Sequence, residues 1–301
     1  MSADQNASHP RKIAIIACSI GWGSGLESAE RGPALLLNEG LAQSVQAERV
    51  IEITAIPRMS EATLEGDAIE RAIMEHAKRV SRAVVDVIEE GYFPVIIGGD
   101  HTSALGFHTG LAMAHGETGI VWVDTHPDLN TPETSPSGNI HGMVLGGLLG
   151  RGSEPMRGAT SECQTREEHV AMVGVRDIDE GEQLWLDEGK IKCMKMSDIH
   201  ERGLDICMNG AIDIANRAPA GFGLTIDIDV LDPSEAPFVA TPVDDGIFMK
   251  DLAEAMGKMP HTDRLLGLEV VEFTPRNAGD AKEAQRILAT LINAVTGVPV
   301  V

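Results

Sequence analysis

Short apolar, β-branched runs recur along the chain at 12–18 (KIAIIAC), 48–54, 94–98 (PVIIG), 119–124 (GIVWVD), 170–175 (VAMVGV), 191–196, 222–229 (FGLTIDID) and 265–273 (LLGLEVVEF), which predicts eight strands. Between them lie helical patterns. Ile69, Ile73, Ala77, Val80, Val84 and Ile88 fall on one face at spacings of three and four, as do Ala284, Ile287, Leu291 and Val295. Gly91 and Gly297 stand where helix stops are expected. Strands apolar on both faces and separated by helix-length segments predict an α/β fold: an eight-stranded parallel sheet covered by helices on both faces. No internal repeat and no Pro/Ser-rich linker divides the chain, so one domain over 12–301 is expected, preceded by a disordered segment, 1–11.

Composition narrows the partners. The 301 residues carry 24 Lys plus Arg against 46 Asp plus Glu, and a formal charge of −22 repels phosphate backbones and anionic lipid. Nucleic acid and membrane surfaces are therefore excluded in favour of cations and small molecules. No apolar run approaches the ~18 residues of a spanning helix, and MSADQNASHPR at the start has no apolar signal core, so a cytoplasmic location is expected. The four cysteines (Cys18, Cys163, Cys193, Cys207) have no CxxC spacing and read as free thiols. Gly21-Trp22-Gly23-Ser24-Gly25 approaches a dinucleotide fingerprint, but Leu26 stands where its third glycine belongs.

Ligands of open parallel sheets collect beyond the carboxyl ends of the strands. There the chain places Asp100-His101, Asp124-Thr125-His126-Pro127-Asp128, Asp227-Ile228-Asp229 and Glu272. Asp124, His126 and Asp128, and likewise Asp227 and Asp229, are two residues apart, so in an extended chain each set points to one face. Four carboxylates converging without counter-charge would repel one another or take up protons. Two divalent cations remove that problem. An oxygen-rich donor set with imidazoles and no thiolate suits manganese better than structural zinc, and a carboxylate-bridged pair can hold a hydroxide at neutral pH. Asp232, before Pro233, reads as a turn residue, and Asp100 as a group that orients a neighbour.

In order and spacing, GGDH at 98–101, DTHPDLN at 124–130, SPSGNIHGM at 135–143, VRDID at 175–179, DIDVLDP at 227–233 and EVVEFTP at 269–275 resemble the arginase branch of the ureohydrolase family. The resemblance runs from about residue 12 to 296. It implies a binuclear manganese site in which His101 and Asp128 hold one ion, His126 and Asp229 the other, and Asp124 and Asp227 bridge both. It further implies that Asp128 carries the nucleophile's proton to the leaving nitrogen, that Glu272 pairs with the guanidinium, and that His141 exchanges protons with solvent. Asn130, Ser135, Ser137, Asn139 and Thr241 would bind substrate, and Asp179 would read its α-amino group. Thr125 and Pro127 replace the family's frequent Ala and Gly, leaving every ligand in place.

The implied reaction is hydrolysis of L-arginine to L-ornithine and urea. Agmatine or 4-guanidinobutyrate are the alternative substrates within the same chemistry; a catalytically silent binding protein and a zinc-dependent deacylase are the other readings. Relatives form trimers or hexamers, and Lys250-Asp251 occupies a segment where some arginases place an intersubunit ion pair, so a homo-oligomer is expected.

Overall fold

In the computed structural model, residues 11–163 and 165–298 are described. Eight strands form one sheet: β1 (Ile13–Ser19), β2 (Arg49–Thr54), β3 (Phe93–Gly98), β4 (Gly119–Val123), β5 (Val170–Val175), β6 (Lys192–Lys195), β7 (Phe222–Asp227) and β8 (Leu265–Val271). All pairings are parallel, in the order β2-β1-β3-β8-β7-β4-β5-β6. The chain builds outward from β1 to β3, jumps to β4 and the far edge, and returns with β7 and β8 into the middle. The central four strand ends, from β3, β8, β7 and β4, thus come from remote parts of the sequence.

The apolar runs are buried on both sides, as the absence of alternation predicts. Ile13, Ile15 and Ala17 of β1 enter the core on one face, Ala14, Ile16 and Cys18 that on the other. On the first face lie α1 (Glu27–Asn38), α5 (Leu204–Ala215), α6 (Met249–Gly257) and α7 (Asp280–Thr296); on the second lie α2 (Asp67–Glu89) and α3 (Ser103–His115). A short helix, α4 (Glu180–Leu186), follows β5 and flanks the site. The expected stripe of α2 faces inward, and Gly91 and Gly297 have φ of 83° and 73°, the left-handed conformation of a helix stop.

Residues 1–10 of the expected N-terminal segment lie outside the described residues, whereas the guanidinium of Arg11 donates to Leu265 O at 2.8 Å and lies 4.2 Å over the Phe93 ring. No helix among the described residues is long and apolar enough to cross a membrane. Cys18 and Cys207 are buried, and Cys163 and Cys193 are partly so, all four as free thiols.

Two expectations about the strands need correction. The run 222–229 does not stay extended: β7 ends at Asp227, and Ile228–Val230 turns into a single 3-10 turn. Asp128 has φ +52° and lies beyond the end of β4. The paired aspartates therefore converge through tight turns and not through strand alternation.

Candidate metal centre and substrate cavity

The turns after β3, β4 and β7 bring six side chains together. His101 Nδ1 lies 2.9 Å from Asp128 Oδ2, 3.2 Å from Asp227 Oδ2 and 3.3 Å from Asp124 Oδ2. His126 Nδ1 lies 3.0 Å from Asp229 Oδ2 and 3.7 Å from Asp124 Oδ1. The donor atoms thus form two groups, His101–Asp124–Asp128 and Asp124–His126–Asp229, with Asp124 common to both. Asp227 adds an oxygen to the first, and its other oxygen accepts the Asp229 N–H at 2.8 Å. Stacking on the Trp122 indole, 4.3 Å between centroids and 7° between planes, orients the His101 ring.

The electrostatics are those of an anionic cluster short of positive charge. Burial pushes Asp227 well above the ordinary carboxylate range, and neighbouring Asp229 and Asp124 push the same way. Burial and Asp124 raise Asp128 to about 6. Burial opposes charge on His101 and His126, but the carboxylates around each outweigh it and raise both. Asp124 is buried too, yet both imidazoles hold it below the usual range. His101 Nδ1 and Asp124 Oδ2 are buried and make no hydrogen bond. A buried polar atom without a partner is costly, and a shared carboxylate between two donor groups is the arrangement that two cations would satisfy. The donor set therefore fits divalent metal ions.

Over this cluster opens a cavity of about 180 Å³. His126, Asp128, Asp227 and Asp229 line it, together with Asn130, Ser135, Ser137, Asn139 and His141 from the loop after β4, and Asp179 and Thr241. All these were expected site residues. His101, Asp124 and Glu272 lie behind the wall. Ser135 and Ser137 hydroxyls accept the N–H groups of Gly138 and Asn139 at 3.0 and 3.2 Å, which shapes the loop. Asn130 Nδ2 donates to Asp179 Oδ2 at 2.7 Å, so one of its N–H groups is already engaged. Thr241 donates to Asp229 Oδ2 at 3.1 Å and so touches a candidate ligand as well as the cavity. Glu272 accepts the His101 N–H at 2.8 Å through Oε1, which also lies 2.9 Å from His141 Nδ1, while its Oε2 is buried without a partner. Burial would lower His141, but facing Glu272 raises it to about 9.

Sequence reasoning missed several groups. Glu182 lines the cavity and clamps it: Oε1 accepts from Leu129 N at 3.0 Å and Oε2 from Asp179 N at 2.9 Å. Glu269 is fully buried; it accepts from Ser103 and Thr225 hydroxyls at 2.8 and 2.9 Å, and Thr225 Oγ1 lies 2.8 Å from His108 Nε2. Burial pushes Glu269 up to about 7. A glutamate in the midst of an otherwise apolar strand was the available signal. Asp100 accepts from Gly23 N at 2.6 Å and Ser24 N at 3.0 Å, which explains the glycine-rich loop: a Cβ on Gly23 would come within 2.3 Å of Thr102 Cγ2. That loop serves Asp100, and its carbonyl at Gly23 accepts His141 N–H at 3.3 Å. Asp232 accepts from Ser234 N at 3.0 Å and Gly246 N at 3.2 Å, as a turn residue does.

A parallel sheet whose central strand ends gather carboxylates and imidazoles suited to cations under a small polar cavity defines a class of α/β protein with a candidate metal site at the strand ends. The comparisons give that class its family. Residues 11–297 match the model of the Arginase family. The arginase of Bacillus caldovelox is 33% identical over 277 residues, covering 88% of this chain and 91% of the relative. Its native structure at pH 5.6 superposes with a TM-score of 0.84 at 30% identity, covering 94% and 98% of the two chains. The Entamoeba histolytica arginase in complex with L-ornithine matches at TM-score 0.84 and 26% identity, covering 94% and 99%. The chain belongs to the arginase family, whose members are metal-dependent hydrolases.

Proposed function

We propose that this protein hydrolyses L-arginine to L-ornithine and urea at a two-manganese centre. The observation that carries the reading is the cavity itself, which is lined by four of the six candidate ligands and whose walls offer both hydroxyl and amide donors and the Asp179 carboxylate. An α-amino acid needs neutral donors for its carboxylate and an anion for its ammonium, and a guanidinium needs carboxylates. Bacillus relatives bear the name arginase, and the Entamoeba relative binds L-ornithine, the expected product.

His101 and Asp128 would hold one cation, His126 and Asp229 the other, and Asp124 and Asp227 would span both; bound there, the ions would supply a hydroxide-level nucleophile at neutral pH. The remaining work falls to side chains. Asp128, on the cavity wall, is suited by position to take a proton from the nucleophile and hand it to the leaving nitrogen. His141, which lines the same cavity, would exchange protons with solvent and the departing amine, and Glu272 holds its ring in place. Glu272 would pair with a guanidinium N–H through Oε2, an oxygen that is buried beside the cavity and has no partner.

The test is urea release by manganese-reconstituted protein from L-arginine, agmatine and 4-guanidinobutyrate. We expect kcat/KM for arginine to exceed that for either analogue by at least about 100-fold, since a site built for a polar group rejects the analogue that lacks it. Equal or better turnover of agmatine would overturn the arginine assignment, and no urea from any of the three would overturn the hydrolytic one. Metal should also stabilise: at a manganese concentration of about 100 times its Kd, linkage gives about 2.7 kcal/mol, and the melting temperature should fall when a chelator is added. The reading extends to a homo-oligomer, trimer or hexamer, as the family resemblance implies. Sedimentation equilibrium returning a monomer would contradict it.

A further inference from the structure

The motif at 175–179 enters the functional reading through Asp179 alone, yet its arginine makes the densest set of bonds near the site. Arg176 places all five guanidinium N–H groups on main-chain carbonyls. Nε donates to Asp244 O at 3.0 Å, Nη1 to Gly174 O and Val230 O at 3.3 Å each, and Nη2 to Asp229 O at 3.0 Å and Val243 O at 2.9 Å. Its own backbone N–H donates to Thr125 O at 2.9 Å. Thr125 stands between Asp124 and His126, and its hydroxyl donates to the same Asp229 carbonyl at 2.8 Å.

One residue therefore joins the turn bearing Asp124 and His126, the turn bearing Asp229, and the 243–244 stretch that follows Thr241. None of these hydrogen bonds is made to His101 or Asp128; the one ligand of their group that lies next to a bonded residue is Asp124, which both groups share. The asymmetry matters because Asp229 and Val230 are buried, with 2% and 0% exposure, so water offers their carbonyls little. A planar five-donor fork meets such a ring of acceptors, whereas an ammonium is a point charge with three donors. The backbone is prepared for it: at Gly174, φ +98°, the β5–β6 register shifts, and a Cβ there would come within 2.5 Å of Val230 Cγ2.

We propose that Arg176 is a positioning residue for one half of the two-metal site, fixing the Asp229 main chain so that the His126–Asp229 position holds its cation at full affinity. The inference rests on the two-manganese reading above. Its test is equilibrium dialysis of metal-free protein against manganese with elemental analysis, comparing native protein with Arg176→Lys and Arg176→Gln. Anomalous diffraction at one manganese per chain would show which position fills.

In each variant that folds by circular dichroism, one manganese equivalent should weaken about tenfold or more, the scale on which groups behind a ligand act, while the other stays at its native affinity. Limiting manganese should then collect between His101 and Asp128. Because Arg176→Lys keeps the charge, a loss there separates bond geometry from electrostatics. Two equivalents bound as in native protein, both weakened alike, or failure of both variants to fold would each overturn the assignment in favour of a general structural role. Native protein that binds fewer than two equivalents would instead overturn the two-metal reading, and this inference with it.

Discussion

Asp128 and Glu272 share a conformation that side chains rarely adopt: φ is +52° for one and +70° for the other. Left-handed backbone at a non-glycine residue costs on the order of 1 kcal/mol or more and persists where the surroundings over-determine it. Here Gly146 N donates to Asp128 O at 3.0 Å and Glu272 N to Gly99 O at 3.0 Å, so each is pinned through its backbone. Asparagine tolerates this region well. Asp128→Asn should accordingly fold as the native protein does, with an unchanged far-ultraviolet spectrum, while urea release falls by about 100-fold or more from loss of the proton carrier. Retained activity would remove Asp128 from the mechanism. His141 offers a pH test. Its folded pKa of about 9 lies above the ordinary histidine value, so its protonation stabilises the fold fully below ~6.5 and that contribution disappears as pH rises through about 9. In metal-free protein the stability gap between native and His141→Gln should be largest at pH 6, on the order of 2–3 kcal/mol, and close by pH 10. A gap independent of pH would mean that His141 and Glu272 do not form the ion pair.

Among elements, β8 couples β3 to β7. Its Glu269 accepts one hydroxyl from Ser103, two residues past His101, and another from Thr225, two residues before Asp227. Glu269→Leu would remove the acceptor of both hydroxyls, leaving Ser103 only its 3.4 Å contact to Asp100 O and Thr225 only His108, so unfolding of metal-free protein in urea should show a loss of about 1–3 kcal/mol. Glu269→Gln, which keeps an acceptor and adds a donor that Ser103 or Thr225 can accept, should lose clearly less. Equal losses would assign the effect to packing. The same scale explains which elements periodicity revealed. The stripe of α2 was legible at Ile73, Ala77, Val80 and Val84, all buried in the structure. Helix α3 was not, because Ser103 through Ala112 are buried all round and carry no polar face to set a period.

For the whole molecule, a charge of −22 and a cavity lined by Asp128, Asp179, Asp227 and Asp229 create a field that attracts cations. Raising ionic strength from about 20 to 200 mM shortens the screening length by roughly threefold. We expect kcat/KM for net-cationic arginine to fall severalfold over that range, and that for zwitterionic 4-guanidinobutyrate to change less. Parallel responses would assign the effect to the metals or the fold and not to steering of the substrate.

The class of fold and most candidate ligands were legible in the chain alone because both are written locally: unalternated β-branched runs demand burial on two faces, and acidic motifs directly after such runs sit at strand ends. Convergence was a different matter. Strand alternation accounted for the pairing of Asp227 with Asp229 in the wrong way, since a 3-10 turn after β7 brings them together. That Glu182 clamps Leu129, that Glu272 faces His141, and that Arg176 gathers five carbonyls depend on which strands lie side by side. Local patterns specify elements, but the order in which β7 and β8 return between β3 and β4 is set by the packing of the entire sheet. Only that packing decides which distant carboxylate, imidazole or carbonyl becomes a neighbour.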